Sequence, residues 1–168
     1  INYQKIFNHF FLFLAFPSQS LSLSNNIDDK GIFVLMYHRF EENKYPSTNI
    51  KIVDFVKHIN LIKENQFKFV NPNFFEENLL NHKNEKKILL TIDDGFKSFY
   101  DQAWPILKKE KIPFILFVNT REVGTRGYMN WKQIREISKE KFAHIGNHSH
   151  SHDYLVDKSD DEISYDIE

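Results

Sequence analysis

The chain of 168 residues has no cysteine, which excludes disulfide bonds, cysteine nucleophiles and thiolate metal ligands among its residues. It has no excess of either charge, because 22 basic and 23 acidic side chains give a formal net charge of −1. A general nucleic-acid-binding protein carries a basic excess, so we expect no nucleic-acid partner. The most apolar stretch, residues 6–16, is shorter than the roughly 20 residues that a membrane-spanning helix requires, so no stable transmembrane span is expected.

The sequence does contain enough apolar material for a folded core. Hydrophobic residues make up 41% of the chain, and 17 of them are phenylalanine. This composition predicts a globular protein rather than a disordered one. At this length a single domain is the simplest expectation.

The first 24 residues have the pattern of a secretory signal peptide. Lys5 is the only charged residue before Asp28, the apolar stretch 6–16 follows it, and serines then alternate with other residues up to Ser24. A basic start, a short apolar run and small residues are the three parts of such a signal. We therefore expect export to the periplasm, cell envelope or exterior, with a linker at 25–30; a buried N-terminal helix is the alternative.

The other end of the chain predicts an unfinished domain. Ser159 and Glu162 have the spacing of a capping box, which predicts that a helix begins there. Only about two helical turns fit before Glu168, and no glycine or proline ends them. Because the chain also begins with Ile1 rather than methionine, we expect a fragment in which residues 31–168 form a partial domain.

Strand and helix patterns alternate between these ends. Apolar runs predict strands at 31–37, 67–70, 88–92, 112–118 and 143–146, and the first and third of these are expected to be buried on both faces. Helical spacing predicts helices at 50–65, 73–81, 96–109 and 130–139. The alternation predicts an α/β fold of parallel strands with outer helices, and five strands are too few to close a barrel.

Two of the helices carry more specific signals. Pro105 lies inside the helix at 96–109 and predicts either a kink or a late start near Trp104. Asn130 is expected to cap the helix at 130–139, with Trp131, Ile134 and Ile137 forming its buried face.

The first candidate site is the sequence Thr-Ile-Asp-Asp-Gly at residues 91–95. Asp93 and Asp94 end a buried strand, and the carboxyl ends of parallel strands are where α/β proteins build their sites. Strand alternation sends neighbouring side chains to opposite faces, but Gly95 permits a sharp turn that would bring both carboxylates to one cavity. Taken alone, the motif is also explained by a turn signal with a helix cap.

The second candidate site contains three histidines within five residues. His148 and His152 are four residues apart, so on a helical turn their rings would share one face at a distance suited to a divalent cation. His150 would join them only if the segment were extended. A polar loop is the alternative.

The two candidate sites together predict a metal centre. One carboxylate and two imidazoles provide three ligands and leave a fourth position open on zinc, while the second carboxylate can act as a general base. Two histidines and a carboxylate also hold non-haem iron, but that chemistry leaves the second aspartate without a role.

At these residues the chain resembles the polysaccharide deacetylase family, also called the NodB-homology or carbohydrate esterase 4 family. Residues 91–95 are similar to its T-F-D-D-G motif, with Ile92 in place of phenylalanine, and residues 148–152 are similar to its H-[ST]-x-x-H motif. The segments 104–107 and 129–131 agree with the family as well. Residues 35–38 resemble the branch that includes poly-β-1,6-N-acetylglucosamine deacetylases.

The resemblance implies a distorted (β/α) barrel that removes acetyl groups from a polysaccharide. It implies that Asp94, His148 and His152 bind Zn²⁺ or another divalent metal and that Asp93 is the catalytic base for attack by a metal-bound water. The family's later motifs, which include a general acid, would fall after Glu168, so a fragment would lack them and could be inactive.

The expected function is N-deacetylation of a polymer that contains N-acetylglucosamine. An O-acetyl esterase acting on another glycan and a non-catalytic carbohydrate-binding protein are the alternatives. His38, at the end of the first strand, would either contact the sugar or be a structural residue. His144, on the last predicted strand, is expected to be structural. Trp131 is expected in the core, and stacking on a sugar ring is the alternative.

Overall fold

The computed structural model describes residues 31–80 and 85–168. The signal peptide predicted for residues 1–24 and the linker at 25–30 lie outside the described residues and stay predictions. In the described ranges, no helix combines the length and the apolar character that crossing a membrane would need.

The described chain forms seven strands and five α-helices. The strands are β1 (Ile32–Tyr37), β2 (Arg39–Phe40), β3 (Asn49–Ile50), β4 (Lys68–Phe69), β5 (Lys87–Ile92), β6 (Phe114–Val118) and β7 (Ala143–Asn147). The helices are α1 (Ile52–Glu64), α2 (Phe75–Leu80), α3 (Trp104–Glu110), α4 (Trp131–Ile137) and α5 (Asp160–Ile167). Every strand and helix that the sequence predicted is present, so the predicted α/β class is confirmed.

The strands build an open parallel sheet. Its order is β1-β5-β6-β7, with β4 paired to the beginning of β5, and every pair is parallel. The short parallel pair of β2 and β3 was not predicted, because two-residue strands leave no readable pattern. Since the strands run the same way, the carboxyl ends of β1, β5, β6 and β7 meet at one edge, and the residues that follow them there are His38, Asp93, Asn119 and His148.

The core lies between this sheet and the helices. All six residues of β5 are buried, as the sequence predicted for this central strand. On one side α1 buries Phe55, Ile59 and Ile62. Each such large side chain contributes about 1.5–3 kcal/mol when it is withdrawn from water. The sheet is therefore a rigid platform for the residues at its edge.

Pro105 acts as a helix start. A π-helical turn occupies Phe99–Ala103, and α3 begins at Trp104, so the predicted late start is confirmed. At the first helical positions the missing N–H of proline removes no intrahelical hydrogen bond, and its fixed φ suits the helix.

Two predictions of burial were wrong. β1 has exposed side chains at Phe33, Val34 and Met36, because among the described strands it pairs only with β5 and forms an edge of the sheet. Trp131 was expected in the core but is 45% exposed, because α4 begins at this residue and only its later residues Ile134 and Ile137 reach the core. The predicted cap is confirmed, since Asn130 forms a capping box with Gln133.

Candidate metal centre

The two aspartates after β5 lie on a left-handed turn. Asp94 has a φ of 71° and Gly95 a φ of 72°, a conformation that glycine adopts freely and aspartate tolerates. The Asp93 amide donates a hydrogen bond to the Tyr37 carbonyl at 2.8 Å, which ties the start of the turn to the end of β1. The turn predicted from Gly95 is therefore present, and it presents two consecutive carboxylates at one edge of the sheet.

Gly146 lets β7 approach β6 closely just before the histidines. A Cβ atom at this position would lie 2.5 Å from Cδ1 of Phe117, so a side chain does not fit without displacing that ring. The His148 amide then donates to the Val118 carbonyl at 3.1 Å. This contact fixes where the histidine segment leaves the sheet.

The histidine segment is neither helical nor extended, the two conformations considered from the sequence. Ser149 and His152 both have left-handed backbone conformations, with φ values of 63° and 59°. The turn nevertheless brings the rings of His148 and His152 together, with centroids 4.7 Å apart. We refer to residues 148–152 as the histidine turn.

Asp94, His148 and His152 converge on one point. Oδ1 of Asp94 lies 3.3 Å from Nε2 of His148 and 3.4 Å from Nε2 of His152, and one donor atom from each residue lies within 4.8 Å of the others. Ligand atoms about 2.0–2.1 Å from a tetrahedral zinc ion are about 3.3–3.4 Å apart, which agrees with these two distances.

The chemistry of these donors fits a divalent cation. Two imidazole nitrogens and one carboxylate oxygen are a donor set typical of zinc. Oδ1 of Asp94 is buried and, within the described chain, has no hydrogen-bond partner. A buried carboxylate oxygen without a donor is costly unless a positive charge compensates it, so a cation would remove that cost.

Asp93 lies beside this cluster without belonging to it. Its side chain is only 10% exposed, and its Oδ2 is 3.9 Å from Nε2 of His38. Burial raises the pKa of Asp93, and the charge of Asp94 adds to this rise, whereas His148 and His38 lower the pKa. A carboxylate whose pKa is raised toward neutrality accepts protons more readily, as a general base must.

The other predicted histidines are placed differently. His38 faces Asp93 and is partly exposed. His150 turns away from the cluster, with Nδ1 2.8 Å from Oγ1 of Thr120. His144 bonds Asn73 through Nδ1 at 3.2 Å, in keeping with its expected structural role.

Three polar residues near the site escaped the sequence analysis. The guanidinium of Arg39 stacks on Phe96 at 3.5 Å and on Tyr45 at 4.0 Å, next to His38 in the chain. Asn119 is buried directly after β6, and Asp166 is buried near the end of α5. No short motif marks these residues, since their roles arise from contacts between distant segments.

Comparison with known proteins finds relatives of one family. The family model for polysaccharide deacetylases matches residues 81–168, just over half of the chain. YxkH of Bacillus subtilis, whose name assigns it to the polysaccharide deacetylases, is 27% identical over 124 residues, which are 73% of this chain and 43% of YxkH. The poly-β-1,6-N-acetyl-D-glucosamine N-deacetylase of Escherichia coli K12 is 29% identical over 87 residues, covering 43% of this chain and 13% of that enzyme.

Solved structures show the same fold. IcaB from Ammonifex degensii matches with a TM-score of 0.65 and 32% identity, over 73% of this chain and 54% of IcaB. The Streptococcus pyogenes deacetylase PplD, solved with acetate, matches with a TM-score of 0.71 and 24% identity over 81% of this chain and 64% of PplD, which supports the fold alone. The chain thus spans less than two thirds of each of these relatives.

Proposed function

Because the chain belongs to the polysaccharide deacetylase family, we propose that it serves to remove N-acetyl groups from a polysaccharide that contains N-acetylglucosamine. The observation that carries the proposal is the convergence of Asp94, His148 and His152 beside the buried Asp93. The names of the Escherichia coli relative and of similar Staphylococcus aureus enzymes support this choice of substrate.

Each residue has a separate role in the proposed reaction. Asp94, His148 and His152 would hold Zn²⁺ or another divalent cation, which when bound polarises the acetyl carbonyl and lowers the pKa of a coordinated water. Asp93 accepts the proton that the attacking water loses, and the sugar nitrogen that leaves when the carbon–nitrogen bond breaks takes a proton from a general acid, which the family supplies from a later motif. His38, which is partly open to solvent beside Asp93, would donate a hydrogen bond to the sugar and hold it against the base.

The environment of Asp93 supports its assignment as the base. Its Oδ1 is buried and, among the described residues, lacks a hydrogen-bond partner, so no protein donor stabilises the negative charge on this oxygen. The raised pKa increases its proton affinity. Asp94 instead faces His148 and His152. This difference supports Asp94 as the metal ligand and Asp93 as the base.

The signal-peptide pattern of residues 1–24 supports action outside the cytoplasmic membrane, where such polymers are exposed. Fractionation of cells that express the chain, followed by mass determination, tests this proposal. Export with removal of about 24 residues is expected, whereas a full-length cytoplasmic chain would contradict it.

Acetate release tests the proposed reaction. The zinc-loaded protein, in a chain that includes the family's later motifs, would be incubated with N-acetylglucosamine oligomers and, separately, with acetylated xylan. We expect release from the oligomers, and Asp93→Asn should lower it by about 10²–10⁴-fold, the usual contribution of a general base, without loss of zinc.

Asp101→Asn is the matched control, because Asp101 is an exposed aspartate paired with Lys97 in the same segment. It should leave acetate release unchanged. Release from xylan alone would favour the O-acetyl esterase. Glycan binding with bound zinc and no release by a chain that includes the later motifs would favour the non-catalytic protein, and undiminished release by Asp93→Asn would refute the role of the base.

A further inference from the structure

The end of α5 is attached to the histidine turn. The amide of His150 donates to the Asp166 carbonyl at 2.6 Å, and the amide of Ser151 donates to Oδ1 of Asp166 at 2.7 Å. The Asn147 side chain donates to the Ile167 carbonyl at 2.6 Å. Three bonds therefore join the last turn of the helix to the segment that contains His148 and His152.

Asp166 differs from the other acidic residues of α5. It is only 8% exposed, whereas Asp160, Asp161 and Glu162 are all exposed. Its Oδ2 is buried and, within the described residues, has no hydrogen-bond partner of its own. Burial of a carboxylate is unfavourable unless hydrogen bonds compensate it. At Asp166 the compensating bond is the one that Oδ1 accepts from the Ser151 amide of the histidine turn.

The opposite side of the histidine turn is fixed by the segment after β6. The amides of Thr120 and Arg121 donate to the carbonyls of Ser149 and His150, at 3.3 and 3.0 Å. The turn is thus held between this segment and Asp166. Ser149 and His152 keep left-handed conformations, which are unfavourable for residues other than glycine and persist only where contacts impose them.

We propose that Asp166 is a positioning residue for the metal centre. By holding the backbone at residues 150 and 151, it keeps His148 on one side and His152 on the other directed at Oδ1 of Asp94. Among the described residues no hydrogen bond or ion pair joins Asp166 to Asp94, His148 or His152, so it acts through the shape of the turn. This inference rests on the proposed metal site.

Zinc affinity tests the inference without an activity assay. The full chain, Asp166→Ala, Asp166→Asn and the control Asp161→Asn would be titrated with zinc against a competing chelator. Loss of a group that supports metal ligands costs about 10–100-fold in affinity. We expect a loss of that size in Asp166→Ala, a smaller loss in Asp166→Asn, which keeps one acceptor oxygen, and none in Asp161→Asn.

The visible spectrum of bound Co²⁺ separates positioning from general stability, because it reports the arrangement of the ligands. We expect the cobalt bands of Asp166→Asn to shift while circular dichroism of the metal-free chain is unchanged. Affinity and spectra equal to those of the wild type in the folded Asp166 variants would overturn the inference. Absence of zinc and cobalt binding by the wild-type chain would instead overturn the proposed metal site, and the inference with it.

Discussion

Replacing Gly146 by alanine tests whether close packing of β6 and β7 sets the position of the metal centre. The added Cβ would lie 2.5 and 2.6 Å from two atoms of the Phe117 ring and 3.1 Å from Cγ2 of Ile115. Carbon atoms in contact are normally about 3.5–4.0 Å apart, so the ring must move by roughly 1 Å. The centroid of the Phe117 ring lies 6.0 Å from that of the His148 ring, so a displaced Phe117 ring would also shift the His148 ring.

The sign of the stability change in Gly146→Ala distinguishes a steric clash from the effect of backbone propensity alone. Glycine inside a strand costs about 0.5–1 kcal/mol relative to alanine, so without a clash Gly146→Ala would stabilise the protein. Overpacking costs about 1–3 kcal/mol, and we expect it to dominate because the nearest neighbours are parts of a paired strand. For a domain of this size, that corresponds to a melting temperature lower by about 2–12 °C.

Thermal unfolding of Gly146→Ala, Phe117→Leu and the double variant measures the effect. The smaller leucine leaves room for the new methyl group, so the double variant should be more stable than the sum of the single changes predicts. Zinc affinity should fall in Gly146→Ala and recover in part in the double variant. A raised melting temperature in Gly146→Ala, or strict additivity, would refute the reasoning.

Two further outcomes follow from the charges near the site. Hydrogen bonds from Ser151 hold the pKa of Asp166 below its usual range in the folded chain. The stabilisation that the Asp166 carboxylate provides is therefore complete above about pH 4, the pKa of an aspartate in the unfolded chain, and is lost as the pH falls through the lower pKa of the folded chain. The difference in unfolding free energy between the metal-free wild type and Asp166→Asn should thus shrink below pH 4 in urea titrations, and a constant difference would contradict this. Zinc at 100 times its dissociation constant should add about 2.7 kcal/mol to the unfolding free energy, and chelator should reverse the gain.

Much of the fold could be predicted because local patterns and tertiary structure agree. The continuous apolar run at β5 marked a central strand, and the Ser159–Glu162 capping box marked the start of α5, as the structure shows. Pro105 marked where an α-helix can begin. In each case the interactions that determine the structure lie within a few residues of one another, which is the range over which periodicity and capping can be read from a sequence.

Predictions failed where contacts between distant segments determine burial or backbone conformation. The exposure of β1 depends on its place at the sheet edge, and that of Trp131 depends on which end of α4 meets the core. The spacing of His148 and His152 indicated that their rings would meet but not how, since the segment is not the helical turn considered from the sequence but a turn with left-handed conformations at Ser149 and His152. Asp166 lies 15 residues after Ser151, and only the folded chain brings the two together.

The zinc content of the purified chain shows whether the proposed metal centre exists. The purified 168-residue chain, Asp94→Ala, His148→Ala and the control His144→Ala would be equilibrated with zinc, freed of excess and analysed for metal content, with circular dichroism to establish folding. We expect about one zinc per chain in the wild type and in His144→Ala, and loss of zinc in Asp94→Ala and His148→Ala. A folded wild-type chain without zinc, or full occupancy in Asp94→Ala, would contradict the claim that Asp94, His148 and His152 form a metal centre.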